Sequence, residues 1–147
     1  MRARAWWFRG FGRQMHHSLR QVYRMTLYEV AGATFRVGCR SPEIDRLLTS
    51  RGCRVATFVS AFNPFSRRMP PRWNRRMQAR LAEAAHQPMA APGKGFWRGW
   101  CEAHLLLFGD PRPAIRLARR FRQNAVVVVR LRQPARLVST AGFEPLR

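Results

Sequence analysis

The sequence predicts a single α/β domain: a mixed sheet with an N-terminal hairpin, followed by β-α-β-α-β, with the helices packed on the sheet. Its 147 residues lie below the length of about 250 to 300 at which chains usually split into domains. Apolar residues make up 46% and aromatic residues 12%, enough to bury a core. Segments with strand and helix periodicity alternate along the chain. We expect a basic, aromatic and flexible arm at 1–22, the domain at 23–140 and a tail at 141–147.

The first elements are a hairpin and a short helix. Two apolar segments, 26–30 and 33–37, are joined at Gly32, and glycine supplies the positive φ that a tight hairpin turn needs. Ser41 precedes a proline and an acidic residue, a pattern typical of a helix start. We expect this helix to end at Gly52, where glycine favours termination.

The centre of the chain predicts two buried strands separated by a helix. The segment 55–62 is apolar on both alternating faces, which is typical of a central strand that is covered on both sides. A helix follows from about 71 to 86, and the segment 87–95, rich in Pro, Ala and Gly, is interpreted as a flexible connection. The next buried strand is expected over 103–108.

The last third predicts another helix and two strands. Asp110 precedes a proline and is the expected N-cap of a helix that runs to about Phe121. A nearly all-β-branched strand follows at 126–131, and 135–138 pairs with it. Because strands and helices alternate here, we expect right-handed crossovers and a largely parallel centre of the sheet.

The net charge of +21 comes from 28 basic residues, of which one is lysine, against 7 acids. Such a charge favours polyanions such as nucleic acid, although a codon bias that replaces lysine with arginine explains the same composition. Helical periodicity places two groups of arginines on exposed helix faces, which are the candidate polyanion-binding residues: Arg72, Arg75, Arg76, Arg116, Arg119 and Arg120. These faces carry no aromatic residues, so any contact is expected with phosphates and not with bases.

Two further segments suggest anion or membrane contact. The loop Ser66, Arg67 and Arg68 follows the central strand, a position where α/β sheets often bind ligands; the alternative is a solvated turn. In the N-terminal arm arginines alternate with Trp and Phe, a composition suited to a membrane interface or to unpaired bases, or to a tail without function. No apolar run reaches the length of a membrane span.

Several kinds of site are not expected. Lys94 lies between two glycines, but no helix follows as a phosphate-binding loop requires. Cys101 and Glu102 point to opposite faces of a strand, so we do not expect them to form a metal site with His104. No cofactor is expected either. The odd number of cysteines without a Cys-x-x-Cys pair indicates reduced thiols and a cytoplasmic protein.

Glu102 precedes an apolar strand, where burial would raise its pKa and suit it to act as a general base; the alternative is a structural role, as an anchor for a neighbouring arginine or as a cap for a loop. Together with 60–64, Asn74 and 121–126, it forms a series of motifs whose order and spacing resemble the bacterial domain of unknown function 3293 family. The resemblance covers roughly 23–137, with Ser60 where that family has threonine.

The resemblance implies no activity but nominates Asn63, Asn74, Glu102 and Gln123 as characteristic polar positions, without a confident catalytic assignment. In a parallel sheet, Asn63 would end one strand while Glu102 and Gln123 would begin the next two. These residues would then lie at opposite ends of the strands and serve as junction anchors. A shared pocket requires that the parallel arrangement be wrong.

Three functions therefore stand as hypotheses. The first is a non-catalytic binding or accessory protein that contacts nucleic acid or ribonucleoprotein nonspecifically through its arginine-rich helix faces. The second is an enzyme or small-ligand-binding domain that uses the polar Asn/Glu/Gln cluster. The third is a peripheral membrane protein that binds through its arm. The sequence leaves the oligomeric state open.

Overall fold

The computed structural model describes residues 18–85 and 89–141. Within them the strands are β1 (Leu27–Val30), β2 (Ala33–Phe35), β3 (Val55–Val59), β4 (Ala90–Trp97), β5 (Trp100–Phe108), β6 (Ala125–Arg130) and β7 (Arg136–Ser139). The α-helices are α1 (Leu19–Met25), α2 (Pro42–Ser50), α3 (Pro71–Ala84) and α4 (Pro111–Arg120), and a short 3-10 turn spans Pro64–Ser66. The single α/β domain and its N-terminal hairpin are confirmed.

The strands form one seven-stranded sheet in the order β2-β1-β4-β5-β3-β6-β7. Every pairing between these strands is antiparallel. An isolated parallel bridge from Val37 to Ala135 joins segments that flank the two edge strands, which curls the sheet. The prediction of a largely parallel centre is wrong.

The error comes from β4, which covers most of the segment interpreted as a flexible connection. This strand pairs with β5 along its whole length, from Ala90 opposite Leu107 to Trp97 opposite Trp100. The two residues between the strands, Arg98 and Gly99, have φ of 45° and 74°, as a tight two-residue hairpin turn requires. The hairpin reverses the chain, and β5 therefore enters the sheet antiparallel to β3.

The helical crossovers nevertheless connect strands that run in the same direction. Strands β3 and β4 are both antiparallel to β5, and α3 connects them across it. Strands β5 and β6 are both antiparallel to β3, and α4 connects them across that strand. Each β-α-β unit is thus split by one strand inserted between its two strands.

The helices divide between the two faces of the sheet. On one face Leu48 of α2 packs with Phe58 and Leu106, and α1 covers another part of that face through Tyr23. On the opposite face, buried residues of both α3 and α4 pack against β3 and β6. Helix α1 begins within the segment predicted as an arm, with a capping box between Ser18 and Gln21. None of its residues is fully buried.

The glycines of β4 create space for aromatic rings. A Cβ at Gly93 would lie 2.5 Å from Cζ of Phe58 and 2.6 Å from the backbone oxygen of Glu29, closer than packed atoms approach. The Pro-Gly-Lys-Gly segment is therefore part of a strand that lies between β1 and β5. The Phe58 ring packs against Gly93 of this strand, where no side chain fits.

We expect Gly93→Ala to lower the free energy of unfolding by about 1 to 3 kcal/mol, because the added methyl group has no room. The measurement is chemical denaturation, with Lys94→Ala as the control because Lys94 is the exposed neighbour on the same strand. An unchanged denaturation midpoint for Gly93→Ala would contradict this account of the strand.

Candidate functional site

The antiparallel arrangement brings three of the nominated polar residues to one edge of the sheet. Asn63 follows the end of β3, Glu102 lies at the start of β5, and Gln123 precedes β6. Because β5 and β6 are both antiparallel to β3, the end of β3 and the starts of its two neighbours meet at this edge. The expected separation of these residues is therefore wrong.

Side-chain hydrogen bonds join Asn74, Asn63 and Glu102 into one chain. Nδ2 of Asn74 donates to Oδ1 of Asn63 (3.1 Å), and Nδ2 of Asn63 donates to Oε1 of Glu102 (2.8 Å). The backbone N–H of Asn63 donates to Oδ1 of Asn74 (2.9 Å), and that of Met69 donates to Oδ1 of Asn63 (2.8 Å). Both asparagines are buried, so these bonds fix the Asn63 amide beneath Glu102.

Gln123 also supports this loop, but its side chain bonds to backbone oxygens and not to Asn74, Asn63 or Glu102. Its Nε2 donates to the backbone oxygens of Phe62 (3.0 Å) and Phe121 (3.2 Å). Its own backbone oxygen accepts from the hydroxyl of Thr140. Gln123 is therefore a positioning residue for the segment that carries Asn63.

The loop after β3 has an unusual backbone. Asn63, Phe65 and Ser66 have φ of 49°, 50° and 59°, in the left-handed region that non-glycine residues seldom adopt. The loop is tied to the start of β6, since the N–H of Phe65 donates to the oxygen of Arg122 (2.6 Å). Nδ2 of Asn124 also donates to Oγ of Ser66 (3.0 Å). These bonds hold the strained loop and place the Ser66 hydroxyl at the site.

A cavity of about 60 Å³, partly open to solvent, lies between α1 and the β4–β5 hairpin. Its lining combines aromatic, apolar and polar side chains: Leu19, Val22, Tyr23, Thr26, Tyr28, Ser66, Gly95, Trp97, Trp100, Glu102 and His104. Gly95 is paired with Tyr28 on one side and Glu102 on the other. A Cβ at Gly95 would lie 3.1 Å from Cε1 of His104, so glycine keeps this space open.

Glu102 is held by one of its two carboxyl oxygens. Oε1 accepts hydrogen bonds from Asn63 and from Nε1 of Trp100 (3.2 Å), whereas no residue of the described part of the chain bonds Oε2. Burial raises the pKa of Glu102 from 4.5 to about 7, although the two hydrogen bonds act in the opposite direction. The partners of this acid are thus an amide and an indole, not the arginine considered from the sequence, and at neutral pH it exists in both protonation states.

His104 is a neutral hydrogen-bond acceptor within the same cavity. Its Nδ1 lies 3.1 Å from the backbone oxygen of Glu102, and because a carbonyl only accepts, Nδ1 carries the proton. Burial lowers the pKa of His104 to about 4, so the ring is uncharged at neutral pH and Nε2 is unprotonated. Burial and the nearby Glu102 raise the pKa of Tyr23, so this phenol stays neutral.

The loop predicted to bind anions lies at the same cavity. Ser66 lines it, and the guanidinium carbon of Arg68 lies 5.2 Å from the ring centre of Trp100. Arg98 lies at the same distance from the ring centre of Trp97. Arg67 is exposed. Anion binding by this loop stays a prediction; of its three residues, Ser66 lines the cavity that also contains Glu102.

The arginine-rich helix faces lie elsewhere. Helices α3 and α4 pack on the same face of the sheet, opposite the face that carries the cavity. All six of the nominated arginines are exposed. Nε of Arg119 donates to the backbone oxygen of Thr140, so this residue also has a structural contact. The two helix faces are therefore on one side of the molecule.

Sequence reasoning missed the aromatic half of the site. The sequence assigns no functional role to Trp97, Trp100 or Tyr23. An available signal was the alternation of Trp100, Glu102 and His104, which places all three on one face of a strand. Gly95, which leaves that face open, had no recognisable signal until its strand partner was known.

Residues 59–126 match a family model. The family is described as Protein of unknown function (DUF3293). The DUF3293 match confirms the resemblance over these residues, a shorter range than the 23–137 predicted, and includes Asn63, Asn74, Glu102 and Gln123. No match was found among the curated proteins or the solved structures. None of the described helices is long and apolar enough to cross a membrane, and the described residues contain no group of three potential metal ligands.

The raised pKa of Glu102 predicts a pH-dependent stability difference between the protein and Glu102→Gln. The folded state favours the protonated acid, so its stabilising contribution is complete below pH 4.5 and is lost as the pH rises toward about 7. Glutamine does not ionise, so in the variant the contribution of this position to stability does not change with pH. The stability of the variant relative to the protein should therefore rise across this range, by up to about 1.4 kcal/mol per pH unit.

Chemical denaturation at a series of pH values measures this difference. The other titratable groups at the cavity are His104, Tyr23 and Tyr28, and both tyrosines have raised pKa values. His104 acts in the opposite sense, since its lowered pKa adds stability as the pH rises from about 4 to 6.5. It is present in both proteins and cancels. Glu83→Gln, at an exposed position of α3, is the matched control. A stability difference between the protein and Glu102→Gln that stays constant with pH would contradict the assignment.

Proposed function

We propose that this chain is a small-ligand-binding domain, whose ligand binds in the cavity and exchanges a proton with Glu102. The observation that carries the proposal is the carboxyl group itself. Asn63 and Trp100 hold Oε1, and Oε2 receives no bond from the described residues. A fixed carboxyl group with one available oxygen, in a cavity walled by aromatic rings, is an arrangement that ligand sites use.

The electrostatics of Glu102 support proton exchange. An acid or base works best when its pKa lies near the working pH, and burial raises the pKa of this carboxyl to about 7. A structural ion pair would have had the opposite effect, because an adjacent arginine favours the charged form. General acid–base catalysis is the enzymatic form of this proposal.

Helix α1 forms the cover of the proposed site. Leu19, Val22 and Tyr23 line the cavity, yet no residue of this helix is fully buried. The cavity is partly open to solvent, so a small ligand reaches Glu102 beside this helix.

We expect a library of small acids, amines and heterocycles, screened by ligand-observed NMR, to yield compounds that bind the full chain. Glu102→Gln should weaken them by about tenfold or more, equivalent to 1.4 kcal/mol, because the variant cannot ionise. Glu83→Gln should leave their affinity unchanged. If no compound binds, or if every compound binds both variants equally, the proposed site is wrong.

Polyanion binding by the arginine faces is the second candidate. The observation that favours it is that α3 and α4 share one face of the sheet, which combines their exposed arginines into one surface. A cytoplasmic location is part of this proposal. It is supported by the free thiols of Cys39, Cys53 and Cys101. Membrane binding through the arm, predicted at 1–22, stays a prediction, because its alternating arginines and aromatic residues fall within 1–17, outside the described part of the chain.

For this second candidate, we expect Arg75→Glu combined with Arg116→Glu to weaken binding to a generic RNA or DNA duplex. The dependence of affinity on salt should also become less steep, by about 0.9 in the logarithmic slope for each B-DNA phosphate that the variant no longer neutralises. The control is Arg24→Glu with Arg46→Glu, which changes the net charge equally on α1 and α2, the helices of the opposite face of the sheet. Equal effects of the two pairs would show that only net charge matters and would reject the surface.

A further inference from the structure

We propose that the groove between α3 and α4 is a docking surface for an acidic amphipathic helix of another protein. The groove lies on the face of the sheet opposite the Glu102 cavity, so the proposal is independent of the proposed ligand site. Three features carry it: an apolar floor, a length that suits a short helix, and arginines along both rims.

The floor of the groove is apolar. Two adjoining depressions share Ala84 of α3 and Arg120 of α4 and together form the groove. Apolar residues from both helices and from the sheet line it: Met77, Ala84, Ala85, Met89, Leu107 and Leu117. Met89 is 46% exposed, and the other five are only partly buried against the core. Apolar surface between polar rims is typical of protein interaction sites.

The length of the groove suits a short helix. Its α3 wall runs from Met77 to Ala85, which spans about 12 Å at 1.5 Å per residue. Two turns of a partner helix cover that distance and present apolar side chains at positions i, i+3, i+4 and i+7 on one face. The two methionines at the groove have flexible side chains that adapt to such a partner.

Arginines line both rims of the groove. Helices α3 and α4 carry four arginines each, whereas the acids on these elements are Glu83 and the N-cap Asp110. Arg80 borders the groove from α3, and Arg116 and Arg120 border it from α4. All three side chains are exposed. The rims therefore complement carboxylate groups that flank the apolar face of a partner helix.

This combination favours an acidic protein over the other occupants. Charge opposes a second copy of this chain, which also carries +21, and residues 1–17 contain four arginines and no acid. A nucleic-acid duplex would pair its phosphates with the arginines but would leave the apolar floor exposed to water. An acidic amphipathic helix covers the floor and neutralises the rims at the same time.

The experiment compares two labelled peptides of about 14 residues, the length of a four-turn helix. One has leucine at i, i+3, i+4 and i+7 and glutamate between these positions, and the other has the same composition without this periodicity. Fluorescence anisotropy with the full chain should show tighter binding of the periodic peptide, by about tenfold or more. Equal binding of the two peptides would show that only net charge matters and would overturn the proposal.

Two pairs of variants locate the binding surface. Arg80→Gln with Arg116→Gln should weaken the periodic peptide by about tenfold, whereas Arg24→Gln with Arg46→Gln, on the helices of the opposite face, should not. Met89→Ser should also weaken it, and the matched control is Phe96→Ser. Phe96 is another exposed apolar residue, but it is not among the residues that line the groove. If either test variant behaves like its control, the proposal is overturned.

Two further measurements test the other occupants. A generic duplex that binds more tightly than the periodic peptide, and displaces it without dependence on Met89, would overturn the proposal in favour of nucleic acid. Self-association in analytical ultracentrifugation that requires Met89 and Arg116 would overturn it in favour of a second copy. Glu102→Gln should bind the periodic peptide as the unchanged protein does. A loss of peptide binding in Glu102→Gln would contradict the independence of the two sites.

Discussion

The antiparallel pairing of β3 with β5 is the constraint on which the rest of the site depends. It places the end of β3 beside the start of β5, so that Asn63 and Glu102 meet across the sheet edge. With a parallel pairing the same residues would lie at opposite ends of the strands. The hydrogen bond between them, the raised pKa of Glu102 and the cavity above it all follow from this one orientation.

Glycine makes the orientation compatible with a site. The β4–β5 hairpin supplies the reversed strand, and two glycines of β4 leave room for the rings of Phe58 and His104. Gly95 pairs with both Tyr28 and Glu102, which leaves a gap in the row of side chains across β1, β4 and β5. The cavity is that gap, bounded by side chains of its neighbours and covered by α1.

The electrostatics of the cavity are notable in a chain with 28 basic residues. The hydrogen-bond partners of Glu102 are two neutral donors. Arg68 and Arg98 contact the indole rings of Trp100 and Trp97. An arginine paired with the carboxyl group would keep it charged. Separation of the acid from the surrounding cations is what lets burial raise its pKa, and this property supports proton exchange as the proposed role.

Local patterns in the sequence determined the local structure. Ser41 and Asp110 cap their helices as the sequence predicts, and the central strand is buried. The four polar positions come from the resemblance to DUF3293 and not from a local pattern. The sequence did not reveal β4, because its proline and glycines have low strand propensity and only pairing with β1 and β5 stabilises it as a strand. Since the direction of β5 depends on that hairpin, tertiary structure alone decided that Asn63, Asn74 and Glu102 form one cluster.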